Sequence, residues 1–289
     1  MIGSGNSAPG AGRRIIDLFA GAGGWDEGLR ELGLSAIGID NDRWACATAR
    51  AAGHRRFEAD LADLDPLDFK PVWGLVASPP CQAWSNSGKG LGKQDKPQVI
   101  ACAHEIAAGN DSRAEHLAEC RDPRSLLTVE PLRWTLALRP RWVALEQVPP
   151  VLELWSLFCG LLGAHGYSAT CGVLSAERYG VPQTRKRAYL VASLDGPARF
   201  PAPTHRSYDG RRPDHVRQDE RDLLPWVSMS DALGWNRASA APTDNQAPCG
   251  VRARGLARTA TDPSRTRDSA AGQCSVERVD RLERDRSDV

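Results

Sequence analysis

From Arg13 to about residue 195 the chain alternates short apolar runs with segments of helical period. That alternation predicts a mostly parallel sheet covered by helices on both faces. The first run, Arg14-Ile15-Ile16-Asp17-Leu18-Phe19, ends in Ala20-Gly21-Ala22-Gly23-Gly24. A helix from about Trp25 to Leu32 follows, with Leu29 and Leu32 on one side, and Gly33 stops it. The second strand, Ser35 to Asp40, leads to Asp42 as an N-cap and to a helix reaching about Ala52, closed by Gly53. Two strand, turn and helix units in succession predict a mononucleotide-binding half-sheet. Further strands are expected at Phe57 to Asp60, Val72 to Ala77 and Trp142 to Glu146, with a hairpin-like pair at Tyr167 to Leu174 and Arg187 to Ala192. A long helical stretch precedes the fifth strand. Asp122 with Pro123 behind it reads as a helix start, and Pro131 predicts a kink or two helices there.

After residue 235 the pattern collapses. Asn236 to Val289 holds no Phe, Trp or Tyr and few larger aliphatics, and Arg, Asp, Ser, Thr and Ala fill most of the rest. Such a segment is too poor in apolar surface to fold alone, so a low-complexity, disordered tail is expected at 236–289. The averages of the 289 residues hide this change: 41% hydrophobic and 25% charged are ordinary values, and a net charge of +1 names no partner. Of 37 basic residues only five are lysine, a bias that fits GC-rich coding DNA. No run approaches the roughly 20 apolar residues of a membrane span, and the start of the chain lacks the apolar core of a signal peptide. A cytoplasmic address with no membrane partner is the expectation. Eight cysteines are scattered without a Cys-x-x-Cys pair, which argues for reduced thiols, one of them a candidate for reactivity.

The glycine-rich turn after the first strand suits close approach of backbone N–H groups to a ligand, and Asp40, ending the second strand, suits ribose hydroxyls. The dinucleotide fingerprint Gly-x-Gly-x-x-Gly is not met, because Asp26 stands where the third glycine belongs. A nucleoside cofactor without a pyrophosphate therefore fits better. The fourth strand ends in Ser78-Pro79-Pro80-Cys81-Gln82, which brings a cysteine to the same sheet edge with its backbone fixed by two prolines. The fifth strand ends in Glu146-Gln147-Val148-Pro149-Pro150 and adds a carboxyl there. Gln183-Thr184-Arg185-Lys186-Arg187 enters the last strand, where alternation sends Arg185 and Arg187 to one face. Taken singly, each has a plain structural explanation: a turn, a core cysteine, a solvated charge.

Together, in this order and spacing, they resemble the DNA cytosine-5 methyltransferases over roughly residues 14 to 195. The resemblance implies an α/β, Rossmann-like S-adenosylmethionine-dependent methyltransferase fold, its parallel sheet ending in an antiparallel hairpin. It implies a catalytic domain at 13–195 and a partial target-recognition region at 196–235, an incomplete second domain. It places S-adenosylmethionine against Asp17, Phe19, Ala20, Gly21, Gly23, Gly24, Asp40, Asn41, Asp60, Leu61 and Pro80, with Asp40 on the ribose and Asp60 on the adenine amine.

Pro80-Cys81-Gln82 resembles the catalytic Pro-Cys-Gln, Glu146-Gln147-Val148 the Glu-Asn-Val segment, and Gln183-x-Arg185-x-Arg187 the Gln-x-Arg-x-Arg segment. The implied chemistry has the Cys81 thiolate adding to C6 of cytosine while Glu146 protonates or hydrogen-bonds N3, Arg187 meets O2, and Arg185 helps organise the pocket. The base must leave the duplex, so double-stranded DNA is the implied partner, with Gln82, Ser85, Lys89 and Gln183 on the substrate side. A transfer RNA substrate shares the same core motifs, and a catalytically impaired nucleic-acid-binding remnant is a further alternative. The segment from Ser85 to Lys93, rich in glycine, suits a lid, and Lys89, Lys93 and Lys96 could meet phosphates.

Gln147 stands where the family usually has Asn, a small change that leaves the acid in place. The family's closing motifs beyond the recognition region are not found. The resemblance therefore leaves open a truncated or frameshifted product, or a second polypeptide supplying the rest; otherwise a monomer is expected, in a bacterial restriction-modification or phage setting. Cys102, His104, His116 and Cys120 are zinc-ligand types, but the Cys-x-His spacing is too tight and helix packing explains them more cheaply, so no metal is expected.

Overall fold

The structure is a computed structural model that describes residues 13–85, 91–208, 210 and 217–235. Seven strands form one sheet: β1 (Ile15–Leu18), β2 (Ala36–Asp40), β3 (Arg55–Glu58), β4 (Gly74–Ala77), β5 (Trp142–Gln147), β6 (Ser168–Ser175) and β7 (Lys186–Ser193). Their order across the sheet is β3-β2-β1-β4-β5-β7-β6. The first five run parallel, and β7 enters antiparallel between β5 and β6. The chain reverses direction of travel at β1, between β2 and β4, so the carboxyl ends of β1, β2 and β4 open onto one crevice.

Strands β1 and β4, Ile-Ile-Asp-Leu and Gly-Leu-Val-Ala, are buried at every position because helices cover both faces. Helices α1 (Gly24–Glu31) and α2 (Arg43–Ala51) follow β1 and β2. Asp42 caps α2, its carboxylate accepting from the N–H groups of Trp44 and Ala45. Between β4 and β5 lie α3 (Gly92–Ala107), α4 (Arg113–Glu119) and α5 (Glu130–Leu138), and α6 (Leu152–Ala164) connects β5 to β6. The core is centred on the side chains of Trp84, Trp134, Trp155 and Phe158 together with β1, β4 and β5. Among the described residues no helix is long and apolar enough to cross a membrane.

One expectation shifts, and another is met in its two-helix form. The strand expected at Phe57 to Asp60 forms at Arg55–Glu58, because Asp60 instead caps a tight turn at Leu61–Asp63, accepting from the N–H of Ala62 at 3.0 Å. The helical stretch at Pro131 resolves into two pieces, a 3-10 segment Pro123–Val129 started by Asp122 and then α5, with Pro131 in the first turn of α5 where its missing N–H costs nothing. Residues 196–235 contribute an isolated bridge between His205 and Leu224 and the single-turn helix α7 (Met229–Ala232). The expected tail at 236–289 lies outside the described residues.

Candidate active site

The turn after β1 is built on left-handed backbone at Phe19, Gly21 and Gly23 (φ 57°, 53° and 113°). Its first amide, Ala20 N–H, donates to Ile39 O at 3.1 Å, which ties the turn to β2. The Asp40 carboxylate accepts from Gly21 N–H through one oxygen and from Asp42 N–H through the other, both at 2.8 Å. A side chain at Gly21 or Gly24 would meet nothing within 4 Å, so both face open space. Next to Asp40, the Asn41 amide donates to Asp60 at 3.1 Å, which brings the ends of β2 and β3 together.

The Asp60–Leu61 turn is held from behind: Arg133 donates to the carbonyls of Leu61 (2.8 Å) and Leu64 (3.1 Å), and Arg113 to that of Ala62 (3.0 Å). Buried Glu130 accepts from both arginines. Asp17, fully buried beneath the glycine turn, has no hydrogen-bond partner on either carboxylate oxygen. Burial, then the charges of Asp26 and Asp40, push its pKa well above the usual carboxylate range, against the pull of Arg56.

One strand over, Ser78 N–H donates to Leu18 O, and Pro79-Pro80 deliver Cys81 to the crevice. Of the six cysteines in the described residues, Cys81 alone is exposed. Its carbonyl accepts from Trp84 N–H at 3.0 Å and Ser85 N–H at 2.8 Å, which closes a turn anchored by the buried Trp84 indole on Thr128 at 2.8 Å. Gln82 is exposed and Ser85 half-buried on this turn. Lys89, with the glycines on either side of it, lies outside the described residues. Gly92 does not act as the hinge of a lid. It is buried in α3, and a side chain there would come within 2.8 Å of Ala83 O. The Lys96 ammonium pairs with Glu153 of α6, and Lys93 is exposed.

At the end of β5, buried Gln147 donates to Pro79 O at 2.8 Å and Pro80 O at 3.1 Å, while its own oxygen takes Val148 N–H. The residue that departs from the family pattern is thus the one that joins β5 to the cysteine turn. Its neighbour Glu146 forms an ion pair with Arg187, Nε to Oε1 at 2.9 Å. Gln183 and Arg185 are exposed on the bend before β7, where the Arg185 backbone is fixed by Ala176 N–H at 2.9 Å. Trp25, in the first turn of α1, donates to the Ser78 hydroxyl at 2.9 Å and stands edge-on to Tyr189. It connects the glycine turn to the cysteine turn. Beside the bend that leads into β7, a cleft of about 760 Å³ is lined by Arg178, Thr184, Lys186, Tyr208 and Arg217 among others.

The structure therefore gathers Asp17, the glycine turn, Asp40, Asn41, Asp60, Leu61, Pro80, Cys81, Glu146 and Arg187 at one sheet edge. The zinc-type side chains do not converge: Cys102 is in the core, His104 is exposed on another face of α3, and His116 pairs with Glu105 at 3.1 Å. Among the described residues no group of three potential ligands could hold a metal.

Strand order and crevice define an α/β, Rossmann-like methyltransferase fold. The family model described as C-5 cytosine-specific DNA methylase matches residues 13–106 and 111–225, and the chain belongs to that family. It is 30% identical over 191 residues to a type II methyltransferase, M.HgiDI, of Herpetosiphon aurantiacus, covering 63% of this chain and 53% of that protein. It is 26% identical over 250 residues to M.AquIA of a Picosynechococcus strain, covering 76% and 88%. Six other curated relatives are covered over 40 to 64% of their length, so the chain spans about half the length of most of them. The crystal structure of S. pombe Dnmt2 methyltransferase matches over 65% of this chain and 51% of its own, at 19% identity and a TM-score of 0.46.

Proposed function

We propose that this chain binds S-adenosylmethionine and transfers its methyl group to C5 of cytosine in double-stranded DNA. The observation that carries the reading is the linkage of three segments at one edge: exposed Cys81, the Gln147 amide that fixes its turn to β5, and the adjoining Glu146–Arg187 pair. The cofactor fits the residues present. Two carboxylates at the ends of β2 and β3, a turn open at Gly21 and Gly24, and an unpartnered buried carboxylate beneath it suit a nucleoside bearing hydroxyls, an amine and a positive charge. Asp17, Phe19, Ala20, Gly21, Gly23, Gly24, Asp40, Asn41, Asp60, Leu61 and Pro80 would hold it, and when bound it supplies an electrophilic methyl group.

The C5 carbon of cytosine is too poor a nucleophile to take that methyl unaided. The Cys81 thiolate bonds to C6, and Glu146 holds a proton at N3, so that electron density collects at C5. Arg187 keeps Glu146 oriented and meets O2 of the base. After methylation the C5 proton leaves to a base and the C6–S bond breaks, returning the thiolate. The base must be out of the helix for Cys81 to reach it; Gln82, Ser85 and Gln183 would meet the substrate, and Arg185 would help organise the pocket. In this reading residues 13–195 carry the chemistry and 196–235 begin the recognition region. The names of the curated relatives support a bacterial restriction-modification setting.

Incubation with tritiated S-adenosylmethionine and mixed-sequence duplex DNA tests the proposal, with Cys81→Ala as control and transfer RNA as the alternative acceptor. DNA labelled by the wild type and not by the variant is expected, with a covalent complex trapped on 5-fluorocytosine DNA. Equal labelling by both proteins, or labelling of RNA in place of DNA, would overturn it.

A further inference from the structure

Arg56 lies on β3, at the edge of the sheet, yet its side chain is completely buried. The guanidinium crosses over β2 and ends beneath the glycine turn. There Nε donates to Gly21 O at 3.2 Å, and one terminal nitrogen donates to Ala20 O at 3.3 Å and to Asp26 at 2.6 Å. The other terminal nitrogen returns to Arg55 O at 3.0 Å. Passage over β2 is possible because Gly38 has no side chain. A Cβ there would stand 2.3 Å from the guanidinium and 2.7 Å from the Ala20 methyl. Asp26, also buried, projects from the first turn of α1 and neutralises the charge.

A buried arginine spending donors on two carbonyls of one turn fixes that turn's peptide planes. In a trans peptide the N–H points opposite to the preceding carbonyl. With the Ala20 and Gly21 carbonyls turned inward to Arg56, the N–H of Gly21 is delivered to Asp40, where it is found, and that of Ala22 is directed away from the core. Arginine suits this task and lysine does not, because only the planar fork serves a carboxylate and two carbonyls at once. We propose that Arg56, anchored by Asp26, is a positioning residue for S-adenosylmethionine, setting the amides of the glycine turn and the orientation of Asp40. This rests on the reading of that turn as the cofactor site.

The test uses the full chain as wild type, Arg56→Lys and Asp26→Asn, each titrated with S-adenosylmethionine by calorimetry and melted with and without it. Both variants are expected to fold and to bind about 10- to 100-fold more weakly, the scale of hydrogen bonds to a charged group. The stabilisation by cofactor seen in the wild type should shrink, and the loss should fall on KM for S-adenosylmethionine rather than on kcat. A folded Arg56→Lys that binds within twofold of the wild type would overturn the inference. So would failure of both variants to fold, which would make Arg56 a core ion pair only. Wild type that shows no binding instead removes the cofactor reading itself.

Discussion

Arg187 on β7 and Glu146 on β5 sit diagonally across an antiparallel ladder and meet in an ion pair of 2.9 Å. Glu146 lies directly opposite Tyr189, two residues from Arg187 on the same face, a spacing that long side chains span. Each side chain keeps 21% of its exposure, so the pair faces the crevice rather than the core. Both groups are therefore reachable by a base, and each holds the other in place.

That half-open position sets the expected outcome of substitution. A pair this exposed contributes about 1 kcal/mol or less to folding, so Glu146→Gln and Arg187→Ala should melt within a few degrees of the wild type. Loss of a positioned proton donor, by contrast, costs roughly 10²- to 10⁴-fold in rate. Glu146→Gln should lose methyl transfer on that scale, and Arg187→Ala less. Thermal melts beside tritium incorporation check this, and a large stability loss with activity intact would make the pair structural.

Gln147 bears differently on the same site. Its amide is the partner of both the Pro79 and Pro80 carbonyls, and it is buried. Gln147→Leu leaves those carbonyls unmatched away from water, at about 1–3 kcal/mol. Gln147→Asn, one methylene shorter, cannot span to both. Methyl transfer should fall in both variants through kcat, because the turn that aims Cys81 is loosened, while KM for S-adenosylmethionine changes little. Steady-state kinetics with each substrate varied separates the two parameters.

The parts of the site that can be read from the chain are those where a run of apolar residues breaks sharply at glycine or proline. Ile-Ile-Asp-Leu before the glycine turn and Gly-Leu-Val-Ala before Ser-Pro-Pro-Cys are four-residue strands buried throughout, and such runs announce both the strand and its functional end. What stays hidden depends on partners far along the chain. Arg56 sits in Arg-Arg-Phe-Glu, which reads as a solvated edge, and only Gly38 and Asp26, the latter thirty residues earlier, account for its burial. Arg113 of α4 and Glu130 and Arg133 of α5 likewise come from two helices, well apart in sequence from the Leu61 turn on which they converge. Helix α3 opens with Gly-Lys-Gln and carries Pro97 in its second turn, a composition that suits a loop as well as a helix.

Asp17 offers a test in which stability and function pull apart. Burial and the neighbouring charges of Asp26 and Asp40 raise its pKa well above the usual range, with Arg56 opposing, so the folded state holds this proton more tightly than the unfolded chain does. For such a group the unfolded state binds fewer protons between the two pKa values, and stability falls as pH rises from the unfolded value through the folded one. The contribution is thus fully present in acid and lost as pH rises through the folded-state pKa. Asp17→Asn removes the titration while keeping the shape of the side chain. At pH 7 it should raise the melting temperature of the ligand-free protein. The gain should shrink as pH falls and the wild-type carboxyl takes up its proton. If the carboxylate is kept for a positively charged cofactor, the same variant should bind S-adenosylmethionine more weakly than the wild type at pH 7. Melting curves across that pH range, with and without cofactor, decide both halves: a variant no more stable than wild type at pH 7 would contradict a raised Asp17 pKa.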